Sequence, residues 1–262
     1  MTAHNKEIDT IQVAFNKPKS ADDIPPGYTE AKGFMIYDLK MDFTCKARWV
    51  KAGHLTASSG NSSYAGVVSR ESVRIALLYA AVNGLDVYCG DIKSAYLSAP
   101  TSEKHYIILG PEFGDDKGKY ALITRALYGG KHVRQDYWMF VWENMINLGF
   151  ESCKADPHVW FWESNDKHNV PIYEYVLLYT NDFLIVSNNA PVILKEIDGI
   201  FTSKEGSVVQ PNGENYLGAK PFEREIERTR CWPFNPTQYV NQSWKNVWEQ
   251  LRKRIEGGDV RF

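Results

Sequence analysis

The stretch YEYVLLYTNDFLIVSN, residues 173–188, sets two apolar β-rich runs, Tyr175–Leu178 and Phe183–Val186, on either side of a short polar turn. Hydrophobic β-formers flanking an Asn-Asp pair predict a hairpin. Such a hairpin lifts Asp182 out of an otherwise apolar segment. Upstream, GLDVYCGDIKSAYL (84–97) repeats the arrangement with another short apolar run, which delivers Asp91 just before a helix-like SAYL segment. Two carboxylates at strand ends are what a metal-dependent phosphoryl-transfer site requires, because hard divalent cations take oxygen ligands and neutralise charge on a triphosphate. Spacing alone does not make the two strands neighbours, and Asn and Asp are favoured turn formers. On these residues alone, the metal-site reading and the plain-turn reading both stand.

The 262 residues suffice for a substantial core, as one large domain or two smaller ones. With 30 Lys+Arg against 32 Asp+Glu, the formal charge of −2 excludes a global positive field for nucleic acid. Any such surface is local. Residues 117–134 offer one candidate, since Lys117, Lys119, Arg125, Lys131 and Arg134 occur there without an acidic residue, although a solvated basic face explains them equally well. The N-terminal MTAHNKEIDT lacks the apolar core of a signal peptide, and the longest apolar run, IALLYAAV (75–82), is too short to span a membrane. The expectation is an intracellular protein, cytoplasmic or nuclear, with no membrane partner. Four cysteines, at 45, 89, 153 and 231, show no paired metal-ligand spacing and read as reduced structural thiols.

Residues 1–33 are polar and contain Pro18, Pro25, Pro26 and Gly27, which suggests a loosely structured lead-in. From residue 34, FMIYDLKMDFTCKARWVKAGHL alternates around a turn and predicts a β-hairpin with basic side chains on one face. SRESVRIALLYAAV (69–82) opens with a Ser cap and an early Glu, then places apolar residues at helical spacing. A second helical pattern lies between Gly129 and Gly149, and a final amphipathic one runs from about Pro236 to Arg254. Hairpins mixed with helices argue for an α+β fold.

Six ordered motifs then resemble the reverse transcriptase domain of copia-type retrotransposons: KARWVKAGHLT (46–56), LDVYCGDIKSAYLSAP (85–100), ALYGGKH (126–132), LGFESCKADPHVWF (148–161), YVLLYTNDFLIVS (175–187) and NYLGA (215–219). The resemblance implies a right-hand polymerase with fingers and palm over 34–230, an antiparallel palm sheet with flanking helices, and the start of an incomplete thumb over 231–262. It implies Mg²⁺ or Mn²⁺ at Asp91 and Asp182, with the backbone carbonyl of Ile92 as a further ligand. It places Lys46 and Arg48 in a fingers hairpin that meets the triphosphate, and Tyr96 beneath the incoming sugar, where a ring excludes a 2′-hydroxyl. Tyr128, Gly129 and Lys131 fall in the motif that supports template and nucleotide, and Tyr216, Leu217 and Gly218 in the hairpin that holds the primer terminus.

The implied partners are a primed RNA or DNA template and deoxynucleoside triphosphates. No integrase or ribonuclease H signature is present, so the chain reads as part of a longer polyprotein. One departure bears on chemistry: the family's Tyr-Val-Asp-Asp turn is here Tyr179-Thr180-Asn181-Asp182. Asn181 offers a neutral oxygen where a metal-binding carboxylate belongs, which predicts impaired nucleotidyl transfer. The alternative is an inactive remnant or nucleic-acid-binding module that keeps the fold.

Overall fold

The computed structural model describes residues 2–40, 43–56, 65–166, 168–201 and 216–256. In chain order the first elements are α1 (Ala3–Ile11), β1 (Phe15–Asn16), β2 (Thr29–Glu30), β3 (Gly33–Leu39), β4 (Cys45–Lys51), α2 (Arg70–Asn83) and β5 (Asp86–Asp91). Next come α3 (Ala95–Ser98), β6 (His105–Ile108), β7 (Tyr120–Ile123), α4 (Val133–Asn147), β8 (Glu151–Ser152), β9 (Val159–Asn165), β10 (Pro171–Tyr179) and β11 (Asp182–Ser187). The chain continues through α5 (Ala190–Ile200), β12 (Lys220–Pro221), β13 (Arg224–Ile226), β14 (Thr229–Cys231), β15 (Phe234–Asn235) and α6 (Thr237–Glu256). The class is α+β, as the mixed periodicities predict. Residue 215 of the NYLGA motif lies outside the described residues.

The chain divides into two units. One comprises Met1–Leu39, Cys45–Gly66 and Ser94–Gly149. Its four-stranded sheet has the order β1-β7-β6-β2, with β2 parallel to β6 and the other pairs antiparallel. Residues 2–33 are more ordered than their polar composition suggests: Ile8 and Ile11 of α1 and Ala14 bury themselves in the core with Trp49, Ile107, Ile123 and Leu127. Three apolar residues at i, i+3 and i+6 make one helical stripe, a signal that the surrounding prolines obscure. Glu7 ties this segment down by accepting the Trp49 N–H at 2.9 Å.

The β3–β4 hairpin forms as predicted, from Gly33↔Lys51 to Leu39↔Cys45. Strand alternation buries Ala47, Trp49 and Lys51 and turns Lys46 and Arg48 to the opposite face.

The other unit comprises Lys40–Thr44, Val67–Lys93 and Phe150–Phe262. Its five-stranded sheet, β5-β11-β10-β9-β8, is antiparallel throughout. Ser69 caps α2 by accepting the Ser72 N–H at 3.0 Å, and Gly84 ends the helix in the left-handed conformation. The helix buries Val73, Leu77 and Ala80 in one cluster with Leu85, Val87, Leu184 and Val186. Leu184 and Val186 face that cluster, so Phe183 and Ile185, also buried, face the other side of the sheet. Burial on both faces explains why Phe183–Val186 is unbroken in its hydrophobicity.

Helix α6 exposes Val240, Trp244, Val247 and Trp248 along one stripe. Among the described residues, no helix is long and apolar enough to cross a membrane.

Candidate functional site

Strand β11 pairs with β5 from Ser187↔Asp86 to Asp182↔Asp91, so the two carboxylates lie directly opposite one another at the last rung of the ladder. Directly opposed residues in an antiparallel pair project to the same face of a sheet, with Cβ atoms roughly 5 Å apart. The neighbourhood that spacing alone left open is therefore created by strand register. The hairpin that presents Asp182 turns through Thr180 and Asn181, because Tyr179 pairs with Asp182. Thr180 sits at φ 57°, a left-handed value that costs a β-branched residue conformational energy.

The chain beyond β5 fastens this turn: the Ile92 N–H donates to the Asn181 carbonyl at 2.7 Å. The Asn181 side-chain amide donates to Asp182 Oδ1 at 3.5 Å. An aspartate at 181 would bring charge there instead. Below the rung, Phe183 covers Gly90 so closely that an added Cβ would lie 2.1 Å from its Cζ. Gly90 and Phe183 did not stand out in the sequence, although a glycine inside an apolar strand is itself a sign of close approach. Burial first, and the Asp182 carboxylate second, push the neighbouring Cys89 thiol up, so it stays protonated.

The donors available here are the carboxylates of Asp91 and Asp182 and the adjoining Ile92 carbonyl, an all-oxygen set that suits Mg²⁺ or Mn²⁺. Among the described residues, no group of three or more His, Cys, Asp or Glu side chains gathers to hold a metal ion.

The residues expected to meet the nucleotide fall in the other unit. Arg48 stacks over Tyr128 with its guanidinium carbon 5.3 Å from the ring centre. Tyr96 meets Tyr128 and Tyr137 edge-on, each at 5.5 Å. Lys46 shares the outward face of β4 with Arg48, across the hairpin from Asp38. The Tyr128 carbonyl accepts the Lys51 N–H at 2.7 Å. Gly129, at φ 86°, packs so tightly that an added Cβ would lie 2.1 Å from the Lys51 carbonyl oxygen. Only glycine satisfies both constraints.

Lys131 donates its ammonium to the Thr56 carbonyl at 2.6 Å. The basic stretch 117–134 is in part internally engaged: Arg125 binds the Ser98 carbonyl at 2.9 Å and Lys119 binds Asp116 at 2.6 Å. Hydrogen bonds from Lys119 and Lys17 hold the Asp116 carboxyl down at about 2.

Residues 216–219 form a tight turn, with the Tyr216 and Ala219 main chains hydrogen-bonded in both directions and Leu217 and Gly218 at positive φ. Leu217 is exposed, but Tyr216 is fully buried within the cluster that holds Leu184 and Trp232. Burial pushes its phenol up. This tyrosine packs the core and does not offer its side chain to a nucleic acid. The apolar residues around it come from distant strands, which NYLGA alone does not disclose.

Residues 16–218 match the family described as Reverse transcriptase (RNA-dependent DNA polymerase). The chain is 26% identical over 241 residues to a retrovirus-related Pol polyprotein from transposon TNT 1-94 of Nicotiana tabacum, covering 88% of this chain and 18% of that protein. It is 22% identical over 140 residues to one from transposon RE1 of Arabidopsis thaliana, covering 53% of this chain and 9% of that protein. A solved foamy viral protease-reverse transcriptase in complex with double-stranded DNA superposes with a TM-score of 0.45 at 11% identity, covering 85% of this chain and 34% of that one. The chain thus spans less than a fifth of the plant polyproteins it resembles. With the family match running over most of its length, and its six motifs in order, the chain belongs to the reverse transcriptase (RNA-dependent DNA polymerase) family.

Proposed function

We propose that this chain is the fingers and palm of an RNA-directed DNA polymerase that extends a primer on an RNA or DNA template with deoxynucleoside triphosphates. The observation that carries this reading is the Asp91–Asp182 rung. Asp91, Asp182 and the Ile92 carbonyl hold Mg²⁺ or Mn²⁺, which supplies activation of the primer hydroxyl and neutralisation of the triphosphate. Lys46 and Arg48 bind the triphosphate, for which the Arg48 fork is suited by geometry, and the segment with Tyr128 and Lys131 supports template and nucleotide. Tyr96 lies under the sugar and selects deoxynucleotides. Gly129 gives the nucleotide-side turn its shape, and the Leu217–Gly218 turn meets the primer strand. The domain works inside the cell, as one part of a polyprotein that carries further activities.

Asn181 makes the chemistry slow. A carboxylate lost a few Å from a divalent ion removes several kcal/mol at an effective dielectric constant near 20. A single-turnover extension assay comparing this chain with Asn181→Asp tests the reading. Extension by the variant at elevated Mn²⁺ supports it, and complete inactivity of both under those conditions refutes it. The Asn181 amide beside Asp182 also favours a second reading, a binding module without turnover. Its signature is salt-sensitive affinity for a primer–template duplex, falling steeply as counterions compete, with no extension.

A further inference from the structure

The inference rests on the polymerase reading above and concerns a buried ion pair that the reading does not use. The Lys51 ammonium, 2% exposed, lies 2.5 Å from Glu103 Oε2, itself 7% exposed. It also donates to His105 Nδ1 at 3.2 Å. A lysine has no acceptor, so His105 receives this bond as a neutral imidazole. Burial first, and the neighbouring Lys51 charge second, push the His105 pKa down, in agreement with a neutral ring.

Lys51 reaches both ends of the turn from Tyr128 to Lys131. Its main-chain N–H holds the Tyr128 carbonyl at 2.7 Å. Its side chain holds Glu103, whose second oxygen accepts the Lys131 N–H at 3.4 Å. The middle of the turn is fixed by the same two residues. Gly129 packs on the Lys51 carbonyl, and an added Cβ at Gly130 would lie 2.7 Å from Glu103 Oε2. Tyr128 in turn carries Arg48 on its face and Tyr96 against its edge. A buried ion pair is a poor way to gain stability, since well-packed apolar residues serve as well or better. What this pair provides is a directional hold on a particular turn.

We propose that Lys51 and Glu103 are positioning residues that set the Tyr128–Lys131 turn for nucleotide binding. Neither touches the nucleotide; both act through Tyr128 and Lys131. The test is equilibrium binding of a deoxynucleoside triphosphate, with Mg²⁺, to the full chain bound to a primer–template whose primer ends in a dideoxynucleotide, so that no turnover is required. Three variants are compared: Glu103→Leu, Glu103→Gln and Lys51→Met/Glu103→Leu.

Glu103→Leu weakens nucleotide affinity roughly tenfold, the scale of losing a partner for a buried polar group. Glu103→Gln keeps an acceptor for the Lys131 N–H and recovers most of the nucleotide affinity. The double variant removes both charges and recovers thermal stability, yet nucleotide affinity stays low. A double variant that recovers stability and nucleotide affinity together makes the pair purely structural and overturns the proposal. Wild-type binding that Glu103→Leu leaves unchanged overturns it as well. Absence of nucleotide binding by both the wild type and Asn181→Asp overturns the polymerase reading and this proposal with it. If Glu103→Leu does not fold, the double variant against Glu103→Gln carries the same comparison.

Discussion

Asp91 faces Asp182 across the last rung of the β5–β11 ladder, so two acidic side chains share one face of the sheet at its end. Like charges directly opposed in a sheet destabilise it, by up to about 1 kcal/mol. A pair retained against that cost is suited to a cation. Asp91→Asn should therefore raise the thermal midpoint slightly in metal-free buffer and abolish the rise that Mg²⁺ or Mn²⁺ produces in the wild type, because a ligand bound only by the folded state stabilises it. A melting series with and without Mn²⁺ checks both arms, and an unchanged metal response in the variant rejects the assignment of Asp91.

Asn181→Asp moves the balance the other way. It adds a third carboxylate beside Asp182, where the amide now donates at 3.5 Å. A gain of about 4 kcal/mol in transition-state stabilisation corresponds to a rate increase of roughly a thousandfold. The fold should lose a few tenths of a kcal/mol to added repulsion without metal, and regain it with metal. Single-turnover extension and urea unfolding read the two quantities separately.

The hairpin was legible because its two apolar runs bracket a turn, and β10 and β11 occupy the expected places. Its partner strand was not, since nothing in the spacing from Asp91 to Asp182 says that β5 lies beside β11. Only the order of the motifs implied it. Lys51 illustrates a signal present but unread. In KARWVK it looks like one more surface cation, yet strand parity groups it with the buried Ala47 and Trp49, away from Lys46 and Arg48. Tyr216 shows the limit of local reading, because its burial depends on residues from α2, β5 and β11.

Gly90→Ala should destabilise the second unit by about 1 to 3 kcal/mol, the usual cost of overpacking a closely packed site. An added Cβ would stand 2.1 Å from Phe183 Cζ, and the ring, buried on its other sides, has little room to withdraw. Because Gly90 immediately precedes Asp91, the same change should weaken metal stabilisation. Gly90→Ala/Phe183→Leu, which makes room, should recover part of the stability. Chemical denaturation of the three proteins decides this, and equal midpoints for wild type and Gly90→Ala would contradict the packing.

Acid should weaken the fold in two windows. His105 and His158 have folded pKa values pushed below their ordinary 6.5, in both cases first by burial. The unfolded chain then takes up protons that the folded chain refuses, so stability is fully present above 6.5 and falls as the pH drops through the lowered values. Asp156 and Asp116 act lower. For Asp156, burial raises the pKa but is outweighed by hydrogen bonds from Ser72, Ser69 and His158, and both carboxyls end below the ordinary 3.8. Their contribution is lost only as the pH falls from 3.8 downward. Urea midpoints measured from pH 8 to pH 4 should decline mainly below about 6.5, and His105→Gln should flatten that part of the curve.

Tyr216→Phe separates a core tyrosine from a primer-contacting one. The side chain is fully buried, and among the described residues its hydroxyl finds no hydrogen-bond partner. Removing a buried hydroxyl that makes no bond relieves a desolvation cost, so the phenylalanine variant should match or exceed wild-type stability by up to about 1 kcal/mol. Its affinity for a primer–template should not change. Tyr216→Ala, by contrast, leaves a large cavity among Leu184, Val186 and Trp232 and should cost about 3 to 5 kcal/mol. Leu217 and Gly218 are exposed in this turn, and Leu217 is the one that presents a large apolar side chain to solvent. Leu217→Ala should therefore lower primer–template affinity while barely moving the urea midpoint, and a Tyr216→Phe variant that loses affinity at unchanged stability would instead return the contact to the tyrosine hydroxyl.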